Sequence, residues 1–365
     1  MSETDVIIVG QGIAGVSLSL LLERQGVAHT LLGRKGGGKG FALAETLPPS
    51  ALPLLSRLDL LEVFEAAAIQ RTHGYHSVWG RDVVTDNNFF FHRGFQHGLK
   101  IDKQALSATL LGRQAAHVVW FEKLLSVSCD GPEVAVTFRH DERTHRISGK
   151  LLVDATGRQR AVLRRLGIRT QDFDSLTAFS CHVPRVDHPA LPHGVLIEAF
   201  EAGWGIVSRL NERENVFTLF TRTAGANEVA GQDALLAPLH KYANWHRHLS
   251  ETKFLRHFLS GDGATKVLGA KANSSKAHTM AGRHWLALGD AALSFDPLSS
   301  HGITNAVYTA QLAASTIVAA RSGGGEGALR EYEATLTAIF MQYLQSKDQL
   351  YRQERRWPHA AFWRV

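Results

Sequence analysis

The sequence predicts a two-lobed α/β fold, and three short segments far apart in the chain are the basis of this prediction. They are a glycine-rich turn, Gly10–Gly15 (GQGIAG), and two segments that each follow an apolar strand, Asp154–Arg158 (DATGR) and Gly289–Ala292 (GDAA). In an open parallel sheet, ligands bind beyond the carboxyl ends of the strands. We therefore expect the three segments to meet at one edge of a sheet, around a single elongated ligand.

The glycine turn lies within a predicted βαβ unit. Its strand, helix and second strand are expected at 5–9, 13–25 and 27–32. Gly10 permits the tight turn, Gly12 lets the backbone approach a pyrophosphate, and Gly15 lets helix and strand pack closely. Because the helix N-terminus also supplies free N–H groups and partial positive charge, the turn predicts a dinucleotide phosphate site.

An aspartate stands at the end of each of the two later strands. Asp154 follows Leu151–Val153, and Asp290 follows Leu286–Gly289. A carboxylate in this position can accept hydrogen bonds from ribose or ribityl hydroxyls, or it can cap the helix that follows. Both roles remain open for each aspartate.

Composition excludes several classes of protein. The 365 residues are 44% hydrophobic and 20% charged, which is typical of a globular protein, and no apolar run approaches the roughly 20 residues of a membrane span. The two cysteines, Cys129 and Cys181, cannot form a disulfide framework, and the acidic N-terminus does not match an export signal, so we expect a cytoplasmic location. The net charge of +6 is dispersed along the chain, so we expect no nucleic-acid partner.

The order of the motifs resembles that of a known family. GxGxxG, DATGR and GDAA followed by Asp296–Pro297 occur in the same order in the flavoprotein hydroxylases of the para-hydroxybenzoate hydroxylase fold and in the flavin-dependent halogenases. Ala44–Pro49 (AETLPP) is similar to the family segment beside the flavin ring. Asp296–Ile303 (DPLSSHGI) is similar to the DPLSSxGI loop of the same family. The ending, Tyr343–Trp363, is similar to the tail of halogenase-like proteins, some of which hydroxylate tryptophan during maturation of peptide-derived quinone cofactors.

The resemblance covers nearly the whole chain and implies its architecture. We expect a Rossmann-like FAD-binding domain of the glutathione reductase/p-hydroxybenzoate hydroxylase type, with a smaller α+β substrate domain built on an antiparallel sheet. The expected boundaries are a discontinuous FAD-binding domain at 1–75, 101–172 and 265–325, a substrate domain at 76–100 and 173–264, and a C-terminal helical segment at 326–365.

The resemblance also implies the residues that bind FAD. These are Gly10, Gly12, Ala14, Gly15, Arg34, Lys103, Asp290, Pro297, Ser300, Gly302 and Ile303. The second strand departs from the family pattern, because it ends in Gly33-Arg34 without the acid that usually holds the adenosine ribose. We expect Arg34 to contact a phosphate or to stack on adenine. Lys103 occupies a place where relatives have arginine, although a surface lysine on the first helical turn is an equal alternative.

Two residues are candidates for acid–base catalysis. His301 lies within the loop Asp296–Ile303, and the ordinary pKa of an imidazole suits proton transfer near neutral pH. Glu45 lies in the AETLPP segment, where it is either catalytic or orients the loop.

The expected activity is FAD-dependent hydroxylation of a phenol-like or indole-like substrate by a flavin C4a-hydroperoxide formed with O₂. The substrate is an aromatic small molecule or a peptide or protein, with peptidyl tryptophan as one candidate, and NAD(P)H or an external reductase supplies the electrons. The alternatives are a flavin-dependent dehydrogenase or reductase without oxygenation and a non-catalytic FAD-binding maturation partner. Halogenation is disfavoured, because no lysine occurs between Lys39 and Lys100 and only Trp204 remains of the halogenase WxWxIP segment.

Overall fold

The computed structural model describes residues 3–36, 41–90, 94–129, 131, 133–186, 193–222, 252–255 and 268–364. The chain divides into two compact units, each assembled from three stretches of sequence. The first unit consists of Met1–Gly40, Gln104–Phe173 and Ser274–Tyr343, and the second of Phe41–Lys103, Asp174–Asn273 and Leu344–Val365. Residues 41–75, which we assigned to the FAD-binding domain, therefore group with the second unit by their contacts, and the functional division into an FAD domain and a substrate domain stays a prediction.

The strands are numbered in chain order. They are β1 (Glu3–Val9), β2 (His29–Arg34), β3 (Ala44–Leu47), β4 (Ala68–Thr72), β5 (Gly74–Val78), β6 (Thr85–Asn88), β7 (Gly98–Asp102), β8 (Val118–Phe121), β9 (Lys123–Ser128), β10 (Val134–His140), β11 (Arg143–Asp154), β12 (Thr170–Asp172), β13 (Leu176–Pro184), β14 (Val195–Phe200), β15 (Gly203–Arg209), β16 (Glu214–Arg222), β17 (Leu268–Lys271), β18 (Ser275–Ala277), β19 (Ala281–Gly282), β20 (Trp285–Ala287) and β21 (Leu293–Ser294).

The α-helices are numbered in the same way. They are α1 (Ile13–Arg24), α2 (Leu52–Arg57), α3 (Leu61–Ala66), α4 (Lys103–Arg113), α5 (Ala161–Arg165), α6 (Gly302–Ala319) and α7 (Gly325–Tyr351). The glycine-rich run 322–325 predicts a break between the last two helices, and it is confirmed, since the backbone leaves helical geometry at Ser322 and Gly323. The sequence pattern also predicts a helix at 233–259, which lies outside the described residues except at 252–255, and none of these four residues is α-helical.

The first unit is organised by a sheet with the strand order β19-β20-β11-β1-β2-β8. β1 pairs in parallel with both β2 and β11, and β11 pairs in parallel with β20. Val9 at the end of β1 is opposite Asp154 at the end of β11, and Asp154 is opposite Ala287 at the end of β20. The carboxyl ends of these strands therefore meet at one edge, as expected for a doubly wound sheet.

The core of the first unit follows from the apolar composition of its strands. Parallel strands covered on both faces contain continuous apolar residues. Accordingly, Ile7, Val9, Leu32 and Leu152 are completely buried and pack in one cluster with side chains from β8 to β11 and α5. Burial of such side chains stabilises the sheet by roughly 1.5–3 kcal/mol each.

The second unit contains a seven-stranded sheet with the order β17-β13-β16-β15-β14-β5-β6. Its pairs are antiparallel apart from β14 with β5. A smaller antiparallel sheet in the same unit has the order β3-β7-β4. The prediction of an antiparallel lobe is thus confirmed.

The sequence pattern predicts hairpin strands from Val118 to Ile147, a separate strand at 150–154 and a last helix at 326–357, and the structure gives these elements different bounds. The hairpin strands expected to end at Ile147 and the strand expected at 150–154 form one continuous strand, because Gly149 lacks a β-carbon that would lie 2.9 Å from the Thr4 carbonyl oxygen of the neighbouring strand. The last helix ends at Tyr351 rather than near 357. Beyond it the Glu354 carboxylate accepts hydrogen bonds from the Gly80 N–H at 2.8 Å and the Arg356 N–H at 2.9 Å, which hold the chain in a turn.

Candidate functional site

The glycine turn between β1 and α1 requires glycine at two positions. Gly10 has a φ of +121°, and a β-carbon there would lie 2.3 Å from the Ala155 carbonyl oxygen. A β-carbon at Gly15 would lie 1.9 Å from the Gly10 carbonyl oxygen, so strand and helix could not pack as they do. At Gly12, by contrast, a β-carbon would meet no protein atom within 4 Å. The backbone at the start of α1 is therefore open to a ligand, as a pyrophosphate requires.

The late Gly-Asp segment lies against this turn. Gly289 has a φ of +57°, and a β-carbon there would lie 2.9 Å from the Ala14 β-carbon. The Gly289 N–H donates to the Thr309 hydroxyl at 2.9 Å, which fixes the segment on α6. Since Gly10 also contacts Ala155, all three predicted segments come together at the sheet edge within the first unit. The expectation of convergence drawn from the sequence is confirmed.

Asp154 serves the protein itself rather than a ligand. Its side chain is fully buried and accepts hydrogen bonds from the Thr156 N–H (2.9 Å) and hydroxyl (2.6 Å) and from the N–H groups of Val162 (3.0 Å) and Leu163 (2.9 Å). Burial raises the pKa of this carboxyl, and the four donors act in the opposite direction. Of the two roles left open, the capping role is the one that the geometry supports for Asp154.

Asp290 has the opposite environment. Its side chain is 40% exposed, and its nearest ionic partner, the Arg158 Nε, is 3.8 Å away. The following residue is anchored because the buried Arg160 guanidinium donates to the Ala291 carbonyl at 2.9 Å. A fixed backbone and an accessible carboxylate suit hydrogen bonding to the hydroxyls of a bound nucleotide. The assignment of Asp290 to FAD stays a prediction.

Arg34 is held beside the glycine turn by Gln11. The Gln11 amide donates to the Arg34 carbonyl at 2.9 Å and accepts from the Arg34 N–H at 3.0 Å, while the Arg34 residue is exposed. Gly33, before it, is closely packed. The Trp120 ring covers Gly33, where a β-carbon would lie 3.0 Å from it. An arginine cation thus stands near the region where relatives have a carboxylate.

The loop 296–303 is tied down at its start and exposed at its tip. The Asp296 carboxylate accepts from the Leu298 N–H at 2.9 Å, and the Asp296 N–H donates to the Tyr343 hydroxyl at 2.7 Å. Pro297, Ser300, His301 and Gly302 are exposed, whereas Ile303 is buried. Ser300 takes the left-handed conformation, with a φ of +52°, and so turns the chain into α6.

Two consequences follow for the chemistry of this loop. The first N–H groups of a helix have no partner within the helix and give its N-terminus partial positive charge, so α6 begins with an anion-stabilising end. The Nδ1 atom of His301 makes a short contact with the Ser299 carbonyl oxygen. Because a carbonyl only accepts, this contact places the proton of a neutral ring on Nδ1, and Nε2 is then the acceptor.

Glu45 and Lys103 form an ion pair in the second unit. The Lys103 Nζ lies 3.0 Å from the Glu45 Oε1, with both side chains more than a third exposed. Lys103 holds the pKa of Glu45 below its ordinary value, so this carboxylate is ionised at neutral pH. A carboxylate bonded to an ammonium is a weak base, so the geometry favours an orienting role for Glu45 over direct catalysis.

Lys100 is a candidate that the sequence analysis passed over. It lies on β7 next to Thr46 of β3, and its completely buried Nζ donates to the Thr46 hydroxyl at 2.8 Å and to the Ser208 hydroxyl. Burial lowers the pKa of Lys100 to about 7, although the charge of Glu45 acts in the opposite direction. The sequence does contain one sign that this lysine is buried, since it is the single charged residue in the run 98–101 (GLKI).

The geometry of the first unit fits a flavin dinucleotide, and comparison with known sequences agrees. Residues 3–347 match the family described as FAD binding domain. The chain belongs to this family. Its resemblance to flavoprotein monooxygenases, its FAD cofactor and its identity as an FAD-dependent enzyme of the monooxygenase class are thereby confirmed. In the described part of the chain, no helix has both the length and the apolar character needed to cross a membrane.

Individual relatives place the chain among oxidoreductases of this family. It is 27% identical over 371 residues to a protein of Marinomonas mediterranea named as an FAD-dependent oxidoreductase, LodB, covering 100% of this chain and 96% of LodB. Among solved structures, the flavin-dependent halogenase CmlS superposes with a TM-score of 0.85 at 22% identity, covering 100% of this chain and 67% of CmlS. The peptidyl tryptophan dihydroxylase QhpG superposes with a TM-score of 0.77 at 19% identity, covering 99% and 78% of the two chains. These two likenesses show the fold alone.

Proposed function

We propose that this protein uses FAD to hydroxylate an electron-rich aromatic ring, with a tryptophan side chain in a peptide or partner protein as the substrate that we favour. The observation that carries the proposal is the loop 296–303, which presents the exposed imidazole of His301 at the N-terminus of a long helix, with its Nδ1 directed to the Ser299 carbonyl. The name of QhpG, a peptidyl tryptophan dihydroxylase of the same fold, supports the choice of substrate.

The first task of the chain in this function is to bind the cofactor. The open backbone at Gly12 and the N-terminus of α1 would bind the pyrophosphate, with the Arg34 cation beside it. The exposed Asp290 carboxylate would accept hydrogen bonds from the ribityl hydroxyls. Bound FAD supplies the redox chemistry, taking two electrons from NAD(P)H or a reductase and passing them to O₂.

The second task is electrostatic. The N–H groups of Gly302 and Ile303 begin α6, where partial positive charge stabilises a nearby anion. The hydrogen bonds of Asp296 with Leu298 and Tyr343 hold this loop in place. Hydrogen-bond donors that are already held in place stabilise developing charge without reorganisation. These donors would stabilise negative charge on a reduced flavin bound beside the loop.

The third task is proton transfer, which we assign to His301. Its Nε2 is free to accept because Nδ1 is directed to the Ser299 carbonyl. Removal of the indole N–H or phenol O–H proton as the ring is attacked raises the electron density of the ring, and a positioned base contributes about 10²–10⁴-fold to such a step. Glu45 is assigned an orienting role through its ion pair with Lys103.

An isotope experiment tests the proposal. The FAD-loaded protein is supplied with reduced flavin, ¹⁸O₂ and a tryptophan-containing peptide, and the product is analysed by mass spectrometry. We expect a product that carries labelled oxygen from O₂ and unlabelled product when label is present only in water. Oxygen consumption that yields only hydrogen peroxide, or substrate oxidation without label, would instead identify an oxidase or dehydrogenase.

Halogenation is the second candidate function, and Lys100 is the observation that favours it. A lysine whose pKa lies near 7 has a substantial neutral fraction, and a neutral amine can react with hypohalous acid. The amine is completely buried, however, so we rank halogenation below hydroxylation. Repeating the experiment in bromide or chloride distinguishes the two, because a halogenase would give a halogenated product that Lys100→Gln abolishes.

A further inference from the structure

Three side chains of the second unit converge at one edge of its large sheet. β6 is the last strand of this sheet, and in its antiparallel pairing with β5 Asp86 lies directly opposite His76. On the other side of β5, β14 runs in parallel and places Leu196 opposite His76. His193 stands three residues before Leu196, just ahead of β14, and its side chain reaches the same cluster.

The distances between the three side chains are those of a compact cluster. The His193 Nε2 lies 2.9 Å from the Asp86 Oδ1, and the two imidazole rings have centroids 4.7 Å apart. One ring nitrogen of each histidine and one carboxylate oxygen all lie within 4.8 Å of one another. The glycine at 74 makes this approach possible, because a β-carbon there would lie 2.9 Å from the His193 Nε2.

His76 carries an unsatisfied polar atom in this cluster. The residue is only 3% exposed, and within the described structure its Nδ1 has no hydrogen-bond partner. Buried polar atoms are nearly always bonded, so an orphan of this kind calls for a specific explanation, of which an ion is one.

We propose that His76, Asp86 and His193 form a binding site for a divalent transition-metal cation of the Zn²⁺ class. Two imidazoles and one carboxylate are a donor set that suits zinc and disfavours Mg²⁺ and Ca²⁺, which take oxygen ligands. Donor atoms around a tetrahedral zinc lie roughly 3.3 Å apart, since zinc–ligand bonds are about 2.0–2.2 Å. The His193–Asp86 distance of 2.9 Å is slightly shorter than this value, and the donor atoms of all three residues lie within 4.8 Å of one another.

The position of the cluster suits a metal that enters from solvent. Asp86 is 54% exposed and His193 is 15% exposed, so one side of the cluster faces water, which would supply the fourth ligand. A bound ion would fasten the edge hairpin β5–β6 to the start of β14 and thereby stabilise this edge of the sheet. None of its three residues is among those to which we assign cofactor binding or catalysis.

A second cluster in the protein provides a matched control. Glu122, His140 and Asp141 have donor atoms that are equally close to one another. Their acids already have a cation, because the Lys35 Nζ lies 3.1 Å from Asp141 and 3.8 Å from Glu122. We therefore expect no metal at that cluster.

The test is metal binding by the FAD-loaded, full-length protein without a histidine tag, after removal of metals with a chelator. Equilibrium dialysis with Zn²⁺ is expected to give one tightly bound equivalent, and Co²⁺ is expected to give the visible absorption bands of a tetrahedral site. His193→Gln and Asp86→Asn should each weaken Zn²⁺ binding by more than about 100-fold. Even substitution of residues that only hydrogen-bond to metal ligands lowers metal affinity by about 10–100-fold. His140→Gln should leave binding unchanged.

Unchanged flavin absorption and circular dichroism will show that the variants are folded. His193 and Asp86 are partly exposed, so these two replacements avoid the core position of His76. Failure of the wild-type protein to bind a stoichiometric equivalent of Zn²⁺ would overturn the proposal, as would binding that survives both His193→Gln and Asp86→Asn.

Discussion

Gly289 lies so close to Ala14 that a β-carbon at position 289 would be 2.9 Å from the Ala14 methyl carbon. The two residues are 275 positions apart, yet their contact joins the N-terminal glycine turn to the Gly-Asp segment that carries Asp290. Convergence of the two motifs therefore depends on the absence of a single side chain.

Gly289→Ala should weaken FAD binding and reduce stability through this contact. A left-handed alanine alone costs about 1–2 kcal/mol, and the clash with Ala14 adds to this cost. Gly26→Ala is the control, because Gly26 has a similar φ of +65° but open space around it. We expect urea unfolding to show a loss of about 1 kcal/mol for Gly26→Ala with normal flavin content, and a larger loss with reduced flavin content for Gly289→Ala. Equal losses in the two variants would show that the contact is unimportant.

Asp154 and Asp290 should separate stability from cofactor affinity. Asp154→Asn replaces an acceptor oxygen by an NH₂ group and leaves buried N–H groups of α5 without a partner, which should lower the free energy of unfolding by about 1–3 kcal/mol. Asp290→Asn should leave stability unchanged and weaken FAD binding by roughly 10-fold, the effect of one charged hydrogen bond. Urea denaturation and flavin fluorescence titration measure the two quantities. The assignment fails if Asp154→Asn is the variant that loses FAD while keeping its stability.

The two aspartates also show where sequence patterns stop being informative. Each follows an apolar strand and precedes small residues, so the local sequence gives them the same two possible roles. Their roles differ because Thr156 and the start of α5 surround Asp154, whereas Asp290 faces solvent beside Arg158. The convergence of the motifs could be predicted because it depends on strand ends and glycine geometry. The partner of each carboxylate could not, since it depends on tertiary contacts.

Lys100 illustrates the same limit. Family resemblance directed attention to Lys103, which turned out to be a partly exposed lysine paired with Glu45. Three residues earlier, the register of β7 buries Lys100 between two hydroxyl groups. Strand alternation alone does not reveal which lysine is desolvated, because Ser208 comes from a distant part of the chain. A lone lysine within the otherwise uncharged run 98–101 is nevertheless a sequence signal of a buried amine.

Lys100 should make the stability of the protein depend on pH. Its pKa falls from an ordinary 10.5 to about 7 on folding, so between these values the unfolded chain binds more protons than the native protein. Stability should therefore rise with pH from about 7 to 10, by up to about 1.4 kcal/mol per pH unit, and the full penalty should apply below pH 7. Lys100→Met removes the titrating amine and should therefore flatten the dependence of the free energy of unfolding on pH. Urea unfolding at pH 6, 7.5 and 9 measures the difference, and parallel curves for the two proteins would contradict the assignment.

His301→Ala should impair proton transfer without loss of cofactor. The imidazole is exposed and caps no helix, so we expect normal flavin content and stability, while kcat for the labelled product falls by about 100-fold or more. Added imidazole should restore part of the activity, a response that a purely structural role would not produce. His278→Gln is the control, because His278 is also exposed in the same unit but belongs to none of the motifs. If His301→Ala keeps wild-type kcat, the base lies elsewhere; if it loses FAD, the loop binds the cofactor through His301 instead.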